Sequence, residues 1–199
     1  MPNPSFEVNT TGWTADNGNK GLGNTSGAVS GSTVATYTKN TTAGEGVLWT
    51  TANWAVTAGE VYTVSAYVRA STVARECRVS LGAYNSSGTW IGYLTPNTAW
   101  DGVANTTTTS WTRLSRTFTI PAGAATVEVD IVWPNCGASE THNVDAVLLE
   151  KSATLGAYFD GSTPNAGTTT YAWTGTAHAS ASTETMAGVT PVAATPEKS

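Results

Sequence analysis

The chain has 199 residues, only 12% of them charged, with a formal net charge of −5 and an aromatic set of 8 Trp, 7 Tyr and 3 Phe. Those values exclude a nucleic-acid partner, which needs clustered Lys and Arg to displace counterions, and a disordered chain, which lacks aromatics to bury. No apolar run approaches the roughly 20 residues that span a bilayer, and Met1-Pro2-Asn3 opens without the basic and apolar regions of a secretory signal. Period two dominates the chain. Segments rich in Thr, Val, Tyr and Trp are separated by Gly, Asn, Ser and Pro, which is the vocabulary of strands and turns.

In chain order, residues 32–39 and 47–56 predict strands. Ala58-Gly59 turns into the clearest one, Glu60 to Arg69. There Tyr62, Val64, Ala66 and Val68 share one face, while Thr63, Ser65, Tyr67 and Arg69 share the other. From Cys77 to Tyr84, the apolar set Cys77, Val79, Leu81 and Ala83 alternates with Arg78, Ser80, Gly82 and Tyr84, and Asn85-Ser86-Ser87-Gly88 supplies a hairpin turn. Residues 111–120 predict a strand closed by Pro121-Ala122-Gly123. From Thr126 to Trp133, the set Val127, Val129, Ile131 and Trp133 alternates with Glu128, Asp130 and Val132, and residues 143–151 predict a last strand. One apolar and one mixed face per strand marks antiparallel sheets buried on one side. Seven or eight such strands predict an all-β, antiparallel two-sheet β-sandwich of the jelly-roll kind over residues 1–151.

Beyond residue 151 the pattern changes. Two aromatic clusters, Ala157-Tyr158-Phe159-Asp160-Gly161 and Tyr171-Ala172-Trp173-Thr174-Gly175, are too short for a core of their own. Residues 152–186 therefore read as a C-terminal docking extension against the sandwich or a neighbouring chain, and 187–199 as a flexible tail. Trp13, Trp111 and Trp133 are assigned to the core. Trp90 and Trp100 lie in loop-like Gly/Asn/Thr surroundings, where an exposed aromatic signals contact.

Several of these segments resemble one family. Asn3-Pro4-Ser5-Phe6-Glu7 followed by Gly12-Trp13 resembles the opening of the carbohydrate-binding modules of families four and nine and their galactose-binding-like relatives. Residues 58–70, residues 111–121 and the stretch Val144-Asp145-Ala146-Val147-Leu148-Leu149-Glu150-Lys151 are similar to the family's later hallmarks, in the same order. The stretch from Tyr158 to Ser180 is similar to a segment that follows such modules in minor tail proteins of phages of actinobacteria. The resemblance implies a non-catalytic virion protein, assembled in the host cytoplasm, that adheres to a host-surface glycan or decorates the particle. Its partners would be a surface glycan of a bacterial host, other virion proteins and further copies of itself. Two alternatives share the same residues: a structural capsid or tail decoration subunit that binds no sugar, and an accessory module of a secreted polysaccharide hydrolase.

The resemblance also implies a structural calcium held by Glu7 and Asp145, an oxygen-rich site of the kind calcium prefers. The same two carboxylates are read equally well as surface acids or turn caps. Sugar recognition needs aromatic faces beside planar polar groups, a mixture found in Tyr67, Arg69, Tyr84, Glu128 and Asp130, with Trp90 and Trp100 nearby. If their strands are neighbours, these residues line one concave face; otherwise they are ordinary cross-strand pairs. Glu128 and Asp130 lie about 6.5–7 Å apart along one strand, a spacing open to glycosidase chemistry. A catalytic pair must straddle the scissile bond with unequal environments, however, and an open sheet face rarely supplies either. His142 reads as a loop residue. Cys77 and Cys136 sit at strand ends that coincide in antiparallel neighbours, which permits a disulfide, whereas assembly in a reducing cytoplasm favours free thiols.

Overall fold

A computed structural model describes residues 1, 3–24, 27–51, 53–97 and 104–187. Among them there are fourteen strands and no helix. They are β1 (Trp13–Asp16), β2 (Gly18–Asn24), β3 (Thr33–Lys39), β4 (Gly44–Thr50), β5 (Trp54–Ala55), β6 (Val61–Ala70), β7 (Glu76–Tyr84), β8 (Trp90–Tyr93), β9 (Ala104–Asn105), β10 (Thr112–Thr119), β11 (Thr126–Cys136), β12 (Thr141–Glu150), β13 (Thr169–Trp173) and β14 (Ser182–Met186). The predicted strands from Glu60, Cys77, Trp111, Thr126 and Asn143 are all present. The segment 47–56 divides into β4 and β5.

Two antiparallel sheets pack face to face. The first runs β1-β4-β11-β7-β8, with β5 beside β11 and β9 beside β7; the second runs β10-β6-β12-β3-β2. Period two decides what lies between them. Leu48, Val79, Leu81, Val127, Val129 and Ile131 from the first sheet meet Val64, Ala66, Val68, Leu114, Phe118 and Val144 from the second, all buried. Trp13 and Trp133 belong to this core as expected. Tyr37, Trp133 and His142 stack one on the next, with ring centroids 4.9 Å and 5.0 Å apart. His142 is therefore a fully buried residue of β12 and not a loop residue.

Trp111 departs from the core assignment. It precedes β10 on the outer side of the second sheet, where its Nε1 donates to the Gly27 carbonyl at 2.6 Å and the Arg69 guanidinium lies 4.7 Å above its ring. An indole N–H needs an acceptor once it leaves water, and a loop carbonyl supplies it here.

The disulfide is also corrected: Cys77 and Cys136 are both buried free thiols. The β7–β11 register pairs Arg78 with Val132, and β11 then runs on through an irregularity between Trp133 and Cys136. That overhang carries Cys136 past the start of β7. Its Sγ lies instead 3.3 Å from His142 Nε2 and 3.8 Å from Glu140 Oε2.

Residues of the extension make hydrogen bonds to the sandwich. Tyr171 and Trp173 lie on β13 of the β13–β14 hairpin, Ser30 Oγ donates to Asp160 Oδ2 at 3.2 Å, and Arg113 donates to the Gly156 carbonyl at 2.8 Å. Residues 188–199 lie outside the described residues.

Candidate functional site

The outer face of the first sheet carries an open cleft of about 270 Å³, lined by Ala15, Asp16, Val47, Trp49, Tyr84, Trp90, Tyr93, Glu128 and Asp130. The alternation that buries Val127, Val129 and Ile131 points Glu128 and Asp130 the other way, onto the cleft floor. Their cross-strand partners on β7 are Gly82 and Ser80. Gly82 gives the cleft its depth: a Cβ there would stand 2.5 Å from Trp90 Cη2 and 2.8 Å from Glu128 Oε1. Without it the indole folds down over the sheet. Tyr84 and Tyr93 then meet Trp90 edge to face, with ring centroids 5.2 Å and 5.3 Å away. The irregular β7–β8 register beside Tyr84 aims these rings inward.

The polar groups of the cleft are acidic. Tyr84 donates its hydroxyl to Glu128 Oε2 at 2.8 Å. Burial raises the Glu128 carboxyl above its ordinary value, against the pull of that hydrogen bond. Asp130 is 2% exposed, and its Oδ2 has no hydrogen-bond partner among the described residues. Burial first, and then the Glu128 charge, push Asp130 well above the ordinary carboxylate value. Burial is also the main reason that Tyr84 and Tyr93 are raised to about 12. No Lys, Arg or His is among the described residues that line the cleft. Both acids project from β11 onto the cleft floor.

The expected site is thus only partly assembled. Tyr84, Trp90, Glu128 and Asp130 come together; Tyr67 and Arg69 do not, because β6 belongs to the second sheet. Their face is covered by the chain itself. Thr63 Oγ1 bonds the Ser152 carbonyl at 2.8 Å, Arg113 bonds Ser65 Oγ at 3.1 Å and stands 5.5 Å from the Tyr67 ring centroid, and Arg69 caps Trp111. Trp90 lies on strand β8 and not in a loop. Trp100 falls outside the described residues. The sequence reading missed Asp16, Trp49 and Tyr93, although Trp49 sits on the non-core phase of a predicted strand.

Glu7 and Asp145 act on one loop, but as clamps. Glu7 Oε2 accepts from Ser32 N and Oε1 from Thr33 N, each at 2.9 Å. Asp145 Oδ2 accepts from Val29 N at 2.8 Å and Ser30 N at 3.0 Å, and its Oδ1 from Ala146 N at 2.7 Å. All four oxygens accept N–H hydrogen bonds as placed, so the two acids hold the 29–33 loop against the sandwich. Gly31 permits it: at φ +65° it lets the loop cross Glu7 so closely that a Cβ would lie 2.5 Å from Glu7 Oε1. Gly31→Ala and Glu7→Ala should each lower stability by about 2 kcal/mol or more, because charge-assisted bonds at a constrained turn are lost. Millimolar calcium should leave the wild-type melting temperature unchanged in thermal scans with and without chelator. A calcium-dependent rise would overturn the clamp.

Comparison with known proteins places this geometry. A family described as a carbohydrate-binding domain matches residues 2–137. No curated protein sequence matches the chain. Among solved structures, the CBM22-1 xylan-binding domain from Paenibacillus barcinonensis Xyn10C is 19% identical with a TM-score of 0.57, covering 75% of this chain and 93% of that one. A xylan-binding domain formerly called x6b is 17% identical, at 0.57, covering 76% and 94%. The enzymatically active domain of tailspike protein 4 of bacteriophage CBA120 is 14% identical, at 0.53, covering 75% of this chain and 21% of that one. At such identities the likeness is one of fold.

Proposed function

The chain belongs to the carbohydrate-binding domain family, and from that premise we propose that it is a non-catalytic glycan-binding module whose site is the cleft on the first sheet. One observation carries the reading: four aromatic rings, Trp49, Tyr84, Trp90 and Tyr93, converge with the Glu128 and Asp130 carboxylates in one cleft. Aromatic faces take the C–H side of a sugar ring, and carboxylate oxygens accept its hydroxyls. Single sites of this size bind weakly, so repetition on a particle would supply avidity.

We further propose a virion setting, with the module adhering to a bacterial host glycan and the extension contacting other virion proteins or sister copies. Its support is the likeness of residues 158–180 to phage tail segments, together with the tailspike among its structural relatives. The xylan-binding domains among those relatives favour a second setting, an accessory module of a polysaccharide hydrolase.

Titration calorimetry with purified cell-wall polysaccharide and with xylohexaose tests the site. Trp90→Ala and Trp49→Ala should weaken binding about tenfold or more, a loss equivalent to roughly 1.4 kcal/mol, with melting temperatures unchanged. Tyr67→Ala, on the covered sheet, should bind as the wild type does. If the Trp variants retain full affinity, the cleft is not the site.

A further inference from the structure

The cleft has an electrostatic property that its shape does not require. Three carboxylates, Asp16, Glu128 and Asp130, line it, and no basic side chain among the described residues lies with them. Arg78, which acts on Tyr93 from outside the lining, faces Glu45 at 3.6 Å. Asp16 is engaged by its neighbour Asn17, through backbone N at 2.9 Å and Nδ2 at 3.0 Å. Glu128 has a single neutral donor, the Tyr84 hydroxyl. Asp130, 2% exposed, lines the same cleft, and its buried Oδ2 has no hydrogen-bond partner among the described residues. Buried acids in such a place are costly unless a donor or a positive charge arrives to match them.

We propose that the cleft selects glycans whose sugars carry a free primary amine, as 2-amino-2-deoxyhexoses do, and holds the ammonium group between the aromatic rings and the Glu128–Asp130 pair. This rests on the reading of the cleft as the glycan site and goes beyond it by naming the ligand class. The rings supply the second half of the fit. An ammonium group is drawn to the face of Trp or Tyr by the ring quadrupole, most strongly where water is excluded, and the same rings stack on the sugar's C–H face. A neutral sugar can donate hydroxyl hydrogens to the carboxylates but brings no charge to compensate them. N-acetylation removes that charge and adds bulk. A uronic acid would add a further negative charge to a cleft already lined by three carboxylates.

Titration calorimetry on the full chain, at a pH where the sugar amine is protonated, compares three probes: the hexamer of glucosamine, the hexamer of N-acetylglucosamine, and xylohexaose. The glucosamine hexamer should bind about tenfold or more tighter than the other two, and raising the salt concentration should weaken it selectively. Glu128→Gln should remove most of that preference, bringing the ratio of glucosamine-hexamer to xylohexaose affinity close to one. Asp130→Asn should do the same, and Glu128→Gln keeps the test decisive if the buried variant fails to fold. Equal or weaker binding of the amine overturns the inference and leaves the glycan site standing. Binding of none of the three, and of no cell-wall polysaccharide, overturns both.

Discussion

The Gly82→Ala protein is expected to fold as the wild type does and to lose about tenfold or more in glycan affinity. Gly82 lies within β7 outside the positive-φ region, so its backbone accepts alanine without strain. Strand interiors gain from losing glycine's extra unfolded-state entropy, by roughly 0.5–1 kcal/mol. The added Cβ collides with the far edge of the Trp90 indole and with a Glu128 oxygen. Trp90 is 42% exposed, so its ring can swing outward into solvent with no disturbance of the core. Binding, however, needs that ring down against Tyr84 and Tyr93. The substitution therefore separates the site from the fold, which truncation of a core residue could not do. Thermal melts and calorimetric titrations of the same sample check it. Wild-type affinity with a wild-type melt would mean that the seat of Trp90 on Gly82 plays no part in binding.

The strands were legible where one face had to be apolar. Residues 61–70, 76–84 and 126–136 alternate because each lies in a sheet with one side on the core, and alternation is a local signal. β2 escaped for the converse reason. Gly18–Asn24 is an edge strand held to β3 by backbone pairing, with Leu22 43% exposed, so no periodic apolar face was required of it. β8 reads as loop because Trp90, Ile91 and Tyr93 are all largely exposed and its pairing with β7 is irregular.

The site was legible by half, and the division has a physical cause. Period two reports which face of its sheet a residue occupies, but not which sheet the strand joins. Tyr84, Glu128 and Asp130 lie on adjacent strands β7 and β11, whereas Tyr67 and Arg69 carry the same pattern on β6, across the sandwich. The cysteines show a related limit: strand ends coincide only if the register and any irregularity are known, and three residues beyond Trp133 redirect Cys136 toward His142. Glu7 and Asp145, singled out together by the resemblance, both bond to residues 29–33. Residue type alone could not reveal that N–H groups already occupy the carboxylates.

Replacing His142 with phenylalanine should flatten the acid limb of the stability curve between pH 6.5 and about 4. Burial holds the imidazole's folded value near 4 against an ordinary 6.5, despite Glu140 Oε2 at 4.0 Å. Within that window the unfolded chain binds a proton that the folded chain refuses. Stability is therefore fully present above pH 6.5 and is lost as pH falls toward 4. Over that interval the loss attributable to His142 is about 3 kcal/mol at 1.36 kcal/mol per unit. Two other groups must be separated from it. Glu140, held at about 2 first by Arg75 and then by the Gly137 N–H, loses its contribution only as pH falls from 4.5 toward 2. Asp145, raised to about 7 by burial, works in the opposite sense over an overlapping range, since its protonation on acidification favours the folded chain. Both are retained in the variant, so the wild-type minus variant difference isolates the histidine. Phenylalanine preserves the stack on Trp133 and removes a buried Nδ1 that has no partner among the described residues. It costs the Cys136 thiol its Nε2 contact but leaves Arg75–Glu140 in place. Urea unfolding at half-unit steps from pH 7.5 to 4 should show the two curves diverging below pH 6.5, with the variant losing less. Parallel curves across that range would mean that His142 protonates as readily in the folded chain as in the unfolded one, and that the Tyr37–Trp133–His142 stack admits a charge.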